Sequence, residues 1–284
     1  MHEMRLQVGP AAFRLLSQWR TPIDQLRTLY VGYPVPDIAD FTVRLEASSA
    51  WRRYIRPSVA IEGDFMLPDA APLPLAQGLL AAEMGMNLQM ALGWRRHLLL
   101  HASAVEKDGR AIVMTGESGS GKSTLAAMLG ERGWRFMGDE FVLLNMTDGS
   151  IAPFPRLISL KNEAIARIED MVPADRLGPR MDNTPKGSIR HVVPNPSALA
   201  RMDETARPAL LLFPRFGHAT QWREVPLSER FMRLTQASTN YVALGEPGYE
   251  ALGRFVADVP ALAFDYPDGE TAFCEVDRLW KTMA

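Results

Sequence analysis

Short apolar runs alternate with helical patterns from about residue 97 onward. Two apolar runs, LLLHASAV and AIVMT, flank Asp108-Gly109, a dipeptide that favours a tight hairpin turn. Residues 123–131 (STLAAMLGE) have the periodicity of a helix, and the later segments LSERFMRLTQAS and GYEALGRFVAD share it. The strand-like segment ALLLFPRF precedes these two later helices, and ALAFDY follows them. This alternation predicts an α/β fold over residues 97–284.

Residues 1–96 have a different pattern. Three strand-like segments, LRTLYVGY, FTVRLE and PSVAIEG, are broken by Pro, Gly and Asp, and a long helical pattern then runs from Leu75 to Trp94. We therefore expect a separate, β-rich N-terminal α+β region whose role the sequence does not indicate. Further along the chain, residues 172–190 are so rich in Pro, Gly and Arg that we expect a mobile loop there.

Residues 116–123, GESGSGKS, match the phosphate-binding pattern GxxxxGK[ST]. An apolar β-branched run precedes them and a helical pattern follows, so main-chain N–H groups and the positive end of the helix converge on one spot suited to a polyphosphate. We expect Lys122 to reach the β- and γ-phosphates of a nucleotide and the Ser123 hydroxyl to hold Mg²⁺. The predicted nucleotide-binding residues are Gly116, Glu117, Ser118, Gly119, Ser120, Gly121, Lys122, Ser123 and Thr124.

An acidic pair, Asp139-Glu140, interrupts the apolar run WRFMGDEFVLLN. A helix of about ten residues carries the chain roughly 15 Å from the phosphates, and a returning strand of four or five residues covers about the same distance. The pair should therefore lie beside the glycine-rich loop. Ser123, Asp139 and Glu140 are the candidate metal ligands; one carboxylate would help to hold Mg²⁺ or its waters, and the other would accept the proton of an attacking hydroxyl. The alternative is two solvated acids at a strand bend.

The composition narrows the class of protein. A net charge of −2 gives no sign of a nucleic-acid or membrane partner, and no run approaches the ~20 apolar residues of a membrane span. The single cysteine, Cys274, cannot form an internal disulfide, which favours a reducing cytoplasm as the location of the protein. We expect this cysteine to be a buried small apolar residue.

The stretch GESGSGKSTLAAMLGERGWRFMGDEFV resembles the catalytic stretch of the HPr kinase/phosphorylase family, in which a glycine loop, a short helix, an RG-containing turn and an acidic pair follow one another. His101 lies where that family carries a histidine one hairpin before the loop. Four further segments, PRLISLKN, TPKGSIRH, FPRFG and NYVALGEPGYEAL, resemble a bacterial branch of HPr-kinase-related kinases, type A. The likeness spans nearly the full length. Two departures are the Glu140 that stands where HPr kinases have a second aspartate and the absence of their usual N-terminal domain from residues 1–96.

This resemblance implies a P-loop kinase with a phosphoenolpyruvate-carboxykinase-like nucleotide fold, a mixed sheet and flanking helices. It implies ATP and Mg²⁺ as cofactors and a serine hydroxyl of a protein or peptide as the phosphoryl acceptor. HPr itself is not the expected acceptor. Members of the type A branch are associated with small peptide-binding proteins of the PqqD type, which indicates a peptide partner, and relatives assemble into homo-oligomers.

The candidate catalytic residues are Glu140, Asp139, Lys122, His101, Lys186 and Arg190, with Lys161 as a further cation. Lys186 and Arg190 would reach in from the loop as it closes over substrate and neutralise charge on the transferred phosphoryl group. For His101 the alternative is a satisfied core histidine, and for Lys186 a solvated loop lysine. Arg156 and Arg215 are expected to pair with carboxylates structurally, and the alternative is that they bind a phosphate.

Three functional readings stay open from the sequence. The first is a protein or peptide serine kinase. The second is a small-molecule kinase of the same fold. The third is a non-catalytic regulator in which ATP only orders the loop near residue 186.

Overall fold

The computed structural model describes residues 1–283, which form seventeen strands and nine α-helices. The strands are β1 His2–Val8, β2 Ala11–Ser17, β3 Phe41–Ala47, β4 Ser58–Gly63, β5 Leu73–Pro74, β6 Leu98–Leu100, β7 Ala102–Lys107, β8 Arg110–Thr115, β9 Arg135–Gly138, β10 Val142–Leu144, β11 Ile151–Ala152, β12 Ile158–Lys161, β13 Leu177–Thr184, β14 Gly187–Val192, β15 Arg207–Phe216, β16 Gln221–Glu224 and β17 Ala261–Tyr266. The α-helices are α1 Arg20–Leu29, α2 Gly78–Gly93, α3 Lys122–Glu131, α4 Glu163–Glu169, α5 Pro196–Ala200, α6 Leu227–Ala237, α7 Tyr241–Leu244, α8 Glu246–Asp258 and α9 Gly269–Thr282. Short 3₁₀ turns occupy Ala50–Arg53, Leu75–Gln77 and Ala174–Arg176.

A mixed sheet with the strand order β16-β17-β15-β8-β7-β9 lies at the centre of the second region. Strand β15 runs parallel to both β8 and β17, whereas β7 pairs antiparallel with β8 and with β9. The β7–β8 turn has positive φ angles at Asp108 (56°) and Gly109 (74°), which is the geometry of a tight two-residue hairpin. The prediction of an α/β fold with a mixed sheet and flanking helices is confirmed, as is this hairpin.

Helices cover both faces of this sheet. Ile112 and Met114 of β8 belong to a core with α3 and α9, whereas Ala111 and Val113 belong to a core with α6 and α8. Because successive side chains of a strand point to opposite faces, a strand buried on both faces is apolar at every position. This explains the unbroken run AIVMT and holds the end of β8 rigid at the point where the glycine-rich loop begins.

The N-terminal region forms a sheet with the order β1-β2-β3-β4-β5, against which α1 and α2 pack. Strands β1 and β2 form an antiparallel hairpin that the sequence pattern did not reveal. The prediction of a strand at LRTLYVGY was wrong, because Ile23, Leu26 and Leu29 are buried at helical spacing and most of the segment belongs to α1 and the turn after it.

One apolar core joins the N-terminal region to the rest of the chain. Phe13, Val43 and Met86 share it with Leu99 and Phe154. The division of the chain at residue 96 stays a prediction.

The expected mobile loop at residues 172–190 is instead largely an antiparallel hairpin. Strands β13 and β14 pair around a turn at Pro185 and Lys186, and β14 also pairs with β12. The prediction was wrong because the prolines lie where the ladder does not need an N–H group. Pro179 falls at a register shift, and Pro185 is in the turn itself.

Two further observations concern the surface. Cys274 is exposed, contrary to expectation, because α9 buries Ala272, Val276 and Trp280 at helical spacing and turns the cysteine outward. No helix among residues 1–283 is both long enough and apolar enough to cross a membrane.

A buried ion pair fixes β7 against β9. Arg135 Nε donates to Glu106 Oε2 at 2.6 Å, and both side chains are at most 2% exposed. The other carboxylate oxygen of Glu106 accepts from Gly109 N at 2.6 Å, which closes the β7–β8 turn. Glu106 therefore ties together the two strands that flank the acidic pair and the glycine-rich loop.

We predict that Glu106→Ala lowers the free energy of unfolding by about 3–5 kcal/mol, because it leaves the Arg135 charge buried without its counter-ion. Urea titration followed by circular dichroism measures the loss. Glu250→Ala is the matched control, since Glu250 and its partner Arg254 are both more than half exposed, and its effect should stay below about 1 kcal/mol. Equal effects of the two substitutions would contradict the prediction.

Candidate active site

The glycine loop, defined as residues 116–121, connects the end of β8 to the start of α3. Gly116, Gly119 and Gly121 have φ angles of +154°, +85° and +98°, in the region that favours glycine. At Gly121, which caps α3, a Cβ atom would also collide with the hydroxyl of Tyr266. The loop thus depends on glycine both for its backbone conformation and for its contact with β17.

The first turn of α3 presents unpaired main-chain donors beside this loop. The earliest helical bond runs from Leu125 N to Gly121 O, so the N–H groups of Lys122, Ser123 and Thr124 have no partner within the helix. These donors and the positive end of the helix dipole favour a bound anion. The ammonium of Lys122 lies across the loop and donates to Gly116 O at 2.7 Å and to Glu117 O at 2.9 Å. Burial lowers the pKa of Lys122, although Asp139 and Glu140 oppose this shift.

The acidic pair lies at a bend between β9 and β10, beside the start of α3. Asp139 Oδ1 accepts from Ser123 Oγ at 3.0 Å and from Ser103 Oγ at 2.5 Å. Glu140 has a left-handed backbone with φ of +68°, which is unusual for a residue with a side chain. The structure therefore brings Ser123, Asp139 and Glu140 together as the spacing argument predicts.

Asp139 has the properties of a metal ligand. Its second oxygen, Oδ2, is buried and has no hydrogen-bond partner among residues 1–283. Burial raises the pKa of Asp139, and the neighbouring charge of Glu140 raises it further. A cation beside Oδ2 would satisfy this atom and offset both effects. Within the described part of the chain no three acidic, histidine or cysteine side chains form a metal cluster.

Glu140 lies among basic side chains. Its Oε2 is 3.5 Å from His101 Nδ1, and its Oε1 is 3.7 Å from Lys161 Nζ. Burial alone would raise the pKa of Glu140, but the charges of Lys161, His101 and Lys186 outweigh it, so the pKa is lowered. The two adjacent carboxyl groups thus have pKa values shifted in opposite directions.

A cavity of about 340 Å³, which we call the loop cavity, opens over the glycine loop and the acidic pair. Its polar side includes Lys122, Ser123, Asp139 and Glu140, together with Ser118, Gly119, Gly121, Thr124, His101 and Lys161. Its apolar side includes Met128, Leu160, Phe216 and Tyr266. Such a volume is in the usual range for small-molecule sites, and the lining offers a phosphate-binding end and an apolar end.

Some predicted residues do not line the loop cavity. Gly116, Glu117 and Ser120 face a different surface depression, next to β15. Arg190 donates to Gly178 O at 2.9 Å and to Glu169 Oε2 at 2.7 Å. Because side chains alternate along β14, this guanidinium points away from the face that carries Ile189 and His191. The structure does not bring Arg190 to the site, and its catalytic role stays an untested prediction.

The remaining basic candidates have three different environments. The charge of Lys186, in the β13–β14 turn, helps to lower the pKa of Glu140. Arg156 is buried against Glu83, with Nη2 2.5 Å from Oε2, and Arg215 Nη2 is 2.5 Å from Asp265 Oδ2. Both arginines therefore pair structurally, as expected.

Sequence reasoning missed Ser103, Glu83 and His191. Ser103 had a readable signal, since it is a lone polar residue two positions after His101 in an apolar strand and therefore shares its face. Glu83 gave no such signal, because its partner Arg156 is 73 residues away in the chain. His191 gave none either, because its Nδ1 has no hydrogen-bond partner within residues 1–283.

Comparison with known proteins gives limited information. No protein-family model matches the chain, and neither does any curated protein. Among solved structures, the chain is similar to the HPr(Ser) kinase/phosphatase from Coxiella burnetii, with 16% sequence identity and a TM-score of 0.32 over 65% of this chain and 88% of that chain. A match at this level carries no functional argument, so the geometry of the site has to support any proposal.

Proposed function

We propose that the protein is a kinase that transfers the γ-phosphoryl group of Mg-ATP to a hydroxyl acceptor. The observation that supports it most strongly is the hydrogen bond from Ser123 to Asp139. It joins the start of the phosphate-binding helix to a carboxylate 16 residues further along the chain. A purely structural glycine loop would not require a buried carboxylate with a free oxygen at this point.

On the nucleotide side, we expect the main-chain donors of α3 and the ammonium of Lys122 to bind the β- and γ-phosphates. To do so, Lys122 exchanges its two carbonyl acceptors in the loop for phosphate oxygens, which carry more charge. The apolar lining around Phe216 and Tyr266 is available for the nucleobase. These groups would hold the transferred phosphoryl in a site with little freedom to move.

Ser123 and Asp139 are the residues that would hold Mg²⁺. When bound, this ion neutralises charge on the phosphate oxygens. Ser103 keeps the Asp139 carboxylate oriented by donating to Oδ1, which leaves Oδ2 free.

Glu140 is the residue that would accept the proton of the attacking hydroxyl. Its lowered pKa keeps it ionised at neutral pH, and Lys161 Nζ and His101 Nδ1 lie 3.7 Å and 3.5 Å from its two oxygens. A base of low pKa is adequate because the transition state of phosphoryl transfer is loose, and little proton transfer is needed early. Lys161 and His101 also limit where the carboxylate can point.

We further propose that the acceptor is a serine of a protein or peptide and that the protein acts in the cytoplasm. The resemblance of the segments near residues 155–162, 184–191 and 240–252 to type A HPr-kinase-related kinases supports the acceptor. The single cysteine supports the location. A peptide-binding protein of the PqqD type is the corresponding candidate partner.

We predict that Glu140→Gln keeps the affinity for ATP but lowers phosphoryl transfer by about 10²–10⁴-fold, because glutamine preserves the shape and cannot accept a proton. The assay incubates the protein with γ-labelled ATP and a lysate of the native host, then separates labelled polypeptide from labelled small molecules. Calorimetry measures ATP affinity in parallel. Glu250→Gln, on the exposed side of α8, is the control.

The outcomes of this assay distinguish the three functions that the sequence leaves open. Label on polypeptide supports the proposal, whereas label on a soluble metabolite supports a small-molecule kinase. ATP binding without any transfer supports a non-catalytic regulator. A Glu140→Gln variant as active as the parent would remove Glu140 from the mechanism.

We predict that Asp139→Asn is more stable than the parent protein at pH 7 without Mg²⁺ but gains less stability from Mg²⁺ and an ATP analogue. The folded-state pKa of Asp139 is raised above its usual 3.8, so the charged form destabilises the folded protein at neutral pH. This advantage of the asparagine variant should shrink as the pH falls through the raised pKa and vanish below 3.8. Scanning calorimetry over a pH series measures it, and an asparagine variant less stable at pH 7 would contradict the assignment.

A further inference from the structure

A second, smaller cavity of about 110 Å³ meets the loop cavity at the acidic pair. Asp139, Glu140 and Lys161 line both cavities. The rest of the smaller cavity is formed by α2 of the N-terminal region, by residues 156–159 at the start of β12, and by the β13–β14 hairpin. We call it the α2 cavity. Glu140, the base of the proposed function, is therefore accessible from both.

The α2 cavity contains buried polar groups without partners. His191 is 1% exposed, and its Nδ1 has no hydrogen-bond partner within residues 1–283. Arg156 is 3% exposed, and its Nε is similarly unpaired, although its Nη2 binds Glu83. Buried polar groups in native structures are almost always satisfied, so these atoms point to a polar occupant.

The size of the α2 cavity limits this occupant. At about 110 Å³ it is well below the volume of roughly 300 Å³ at which small-molecule sites begin, so it can hold only a group the size of a short side chain. At its edge Met84 is 43% exposed and Lys186 lies in the exposed hairpin turn. The flexible thioether of Met84 provides an adaptable apolar contact for the polypeptide residues on either side of a side chain inserted into the cavity.

We propose that the α2 cavity receives the phosphoryl acceptor as the side chain of a serine within an extended polypeptide segment, with α2 and the hairpin turn contacting the flanking residues. This rests on the proposed kinase function. In the reaction the serine oxygen bonds to the γ-phosphorus, the bond from that phosphorus to the β–γ bridging oxygen breaks, and ADP leaves with the electron pair. Glu140 takes the serine proton. The N-terminal region is thereby assigned a role in acceptor recognition.

Two methionines allow the cavities to be observed separately. Met128 lines the loop cavity, Met84 lines the α2 cavity, and Met232 on α6 lines neither and is 63% exposed. The full protein labelled with ¹³C at its methionine methyl groups, assigned by single Met→Leu substitutions, is titrated first with Mg²⁺ and a non-hydrolysable ATP analogue. It is then titrated with a pool of capped heptapeptides that carry a central serine between randomised residues. A pool with central alanine is the matched control.

The nucleotide should shift the Met128 resonance, and the serine pool should then shift Met84 while Met232 stays unchanged. The alanine pool should need about tenfold more peptide for the same Met84 shift, because the buried polar groups would stay unpaired. Failure of Met128 to respond to nucleotide would contradict the kinase function itself. A normal Met128 response with Met84 silent, or equal responses of Met84 to both pools, would overturn only the acceptor assignment.

A pair of tryptophan variants on α2 gives a second test. Met84→Trp would obstruct the α2 cavity, whereas Leu92→Trp changes a residue of similar exposure (37%) on the same helix that does not line it. We expect Met84→Trp to raise the half-saturating concentration of the serine pool by about tenfold or more in a phosphopeptide assay, and Leu92→Trp to leave it unchanged. Equal effects of both variants would argue against the α2 cavity as the acceptor site.

Discussion

The buried carboxylate of Asp139 is the constraint on which the site depends. Its Oδ1 accepts hydrogen bonds from Ser103 on β7 and Ser123 on α3, so one atom fixes a strand, a helix and the bend that follows β9. Burying a charge with an unpaired oxygen destabilises the folded chain. Such an arrangement is expected where a ligand later supplies the missing interaction, because that ligand then binds more tightly to a site already in place.

The contrast between Asp139 and Glu140 comes from their surroundings, since the two residues are adjacent in the chain. Asp139 lies deep in the protein and next to the charge of Glu140, and together these raise its pKa more than the hydrogen bonds from Ser103 and Ser123 lower it. Glu140 faces Lys161, His101 and Lys186, which lower its pKa. In a regular strand, neighbouring side chains would point to opposite faces, but the left-handed backbone at Glu140 lets both carboxylates line the same cavities. The bend thus gives two adjacent carboxylates opposite pKa shifts, as the two proposed roles require.

How far the sequence predicted this structure depended on whether the information was local. The run AIVMT, the Asp108-Gly109 turn and the helix after the glycine loop follow from residues within a few positions of one another, and all were predicted. The nearness of Asp139 to Ser123 was also predictable, because the lengths of one helix and one strand determine it. The β1–β2 hairpin and Ser103 were overlooked, although Ser103 had a pattern that could have revealed it.

The errors at LRTLYVGY and Cys274 concerned local helical spacing, whereas the error at residues 172–190 arose because pairing at a distance decided the outcome. Prolines in residues 172–190 suggested a loop, but β12 provides a neighbour on which β14 forms a ladder that avoids them. That same ladder orients Arg190 away from the site and His191 towards the α2 cavity. No local pattern specifies which face of a strand will meet a helix more than 100 residues earlier.

Buried polar contacts hold helix α2 of the N-terminal region in place beside the α2 cavity. Glu83 and Asn87 on α2 both bind Arg156, and Tyr30 of the N-terminal region donates to Glu83 at 2.8 Å. Breaking such a buried pair by removing one partner is costly, so α2 is held firmly against the segment that leads into β12 and Lys161. Because α2 lines the α2 cavity, which Lys161 and Glu140 also line, the position of α2 limits the size of this cavity. Under the proposed function, a wall fixed in this way would select the acceptor by shape, which a flexible loop at the same place could not do.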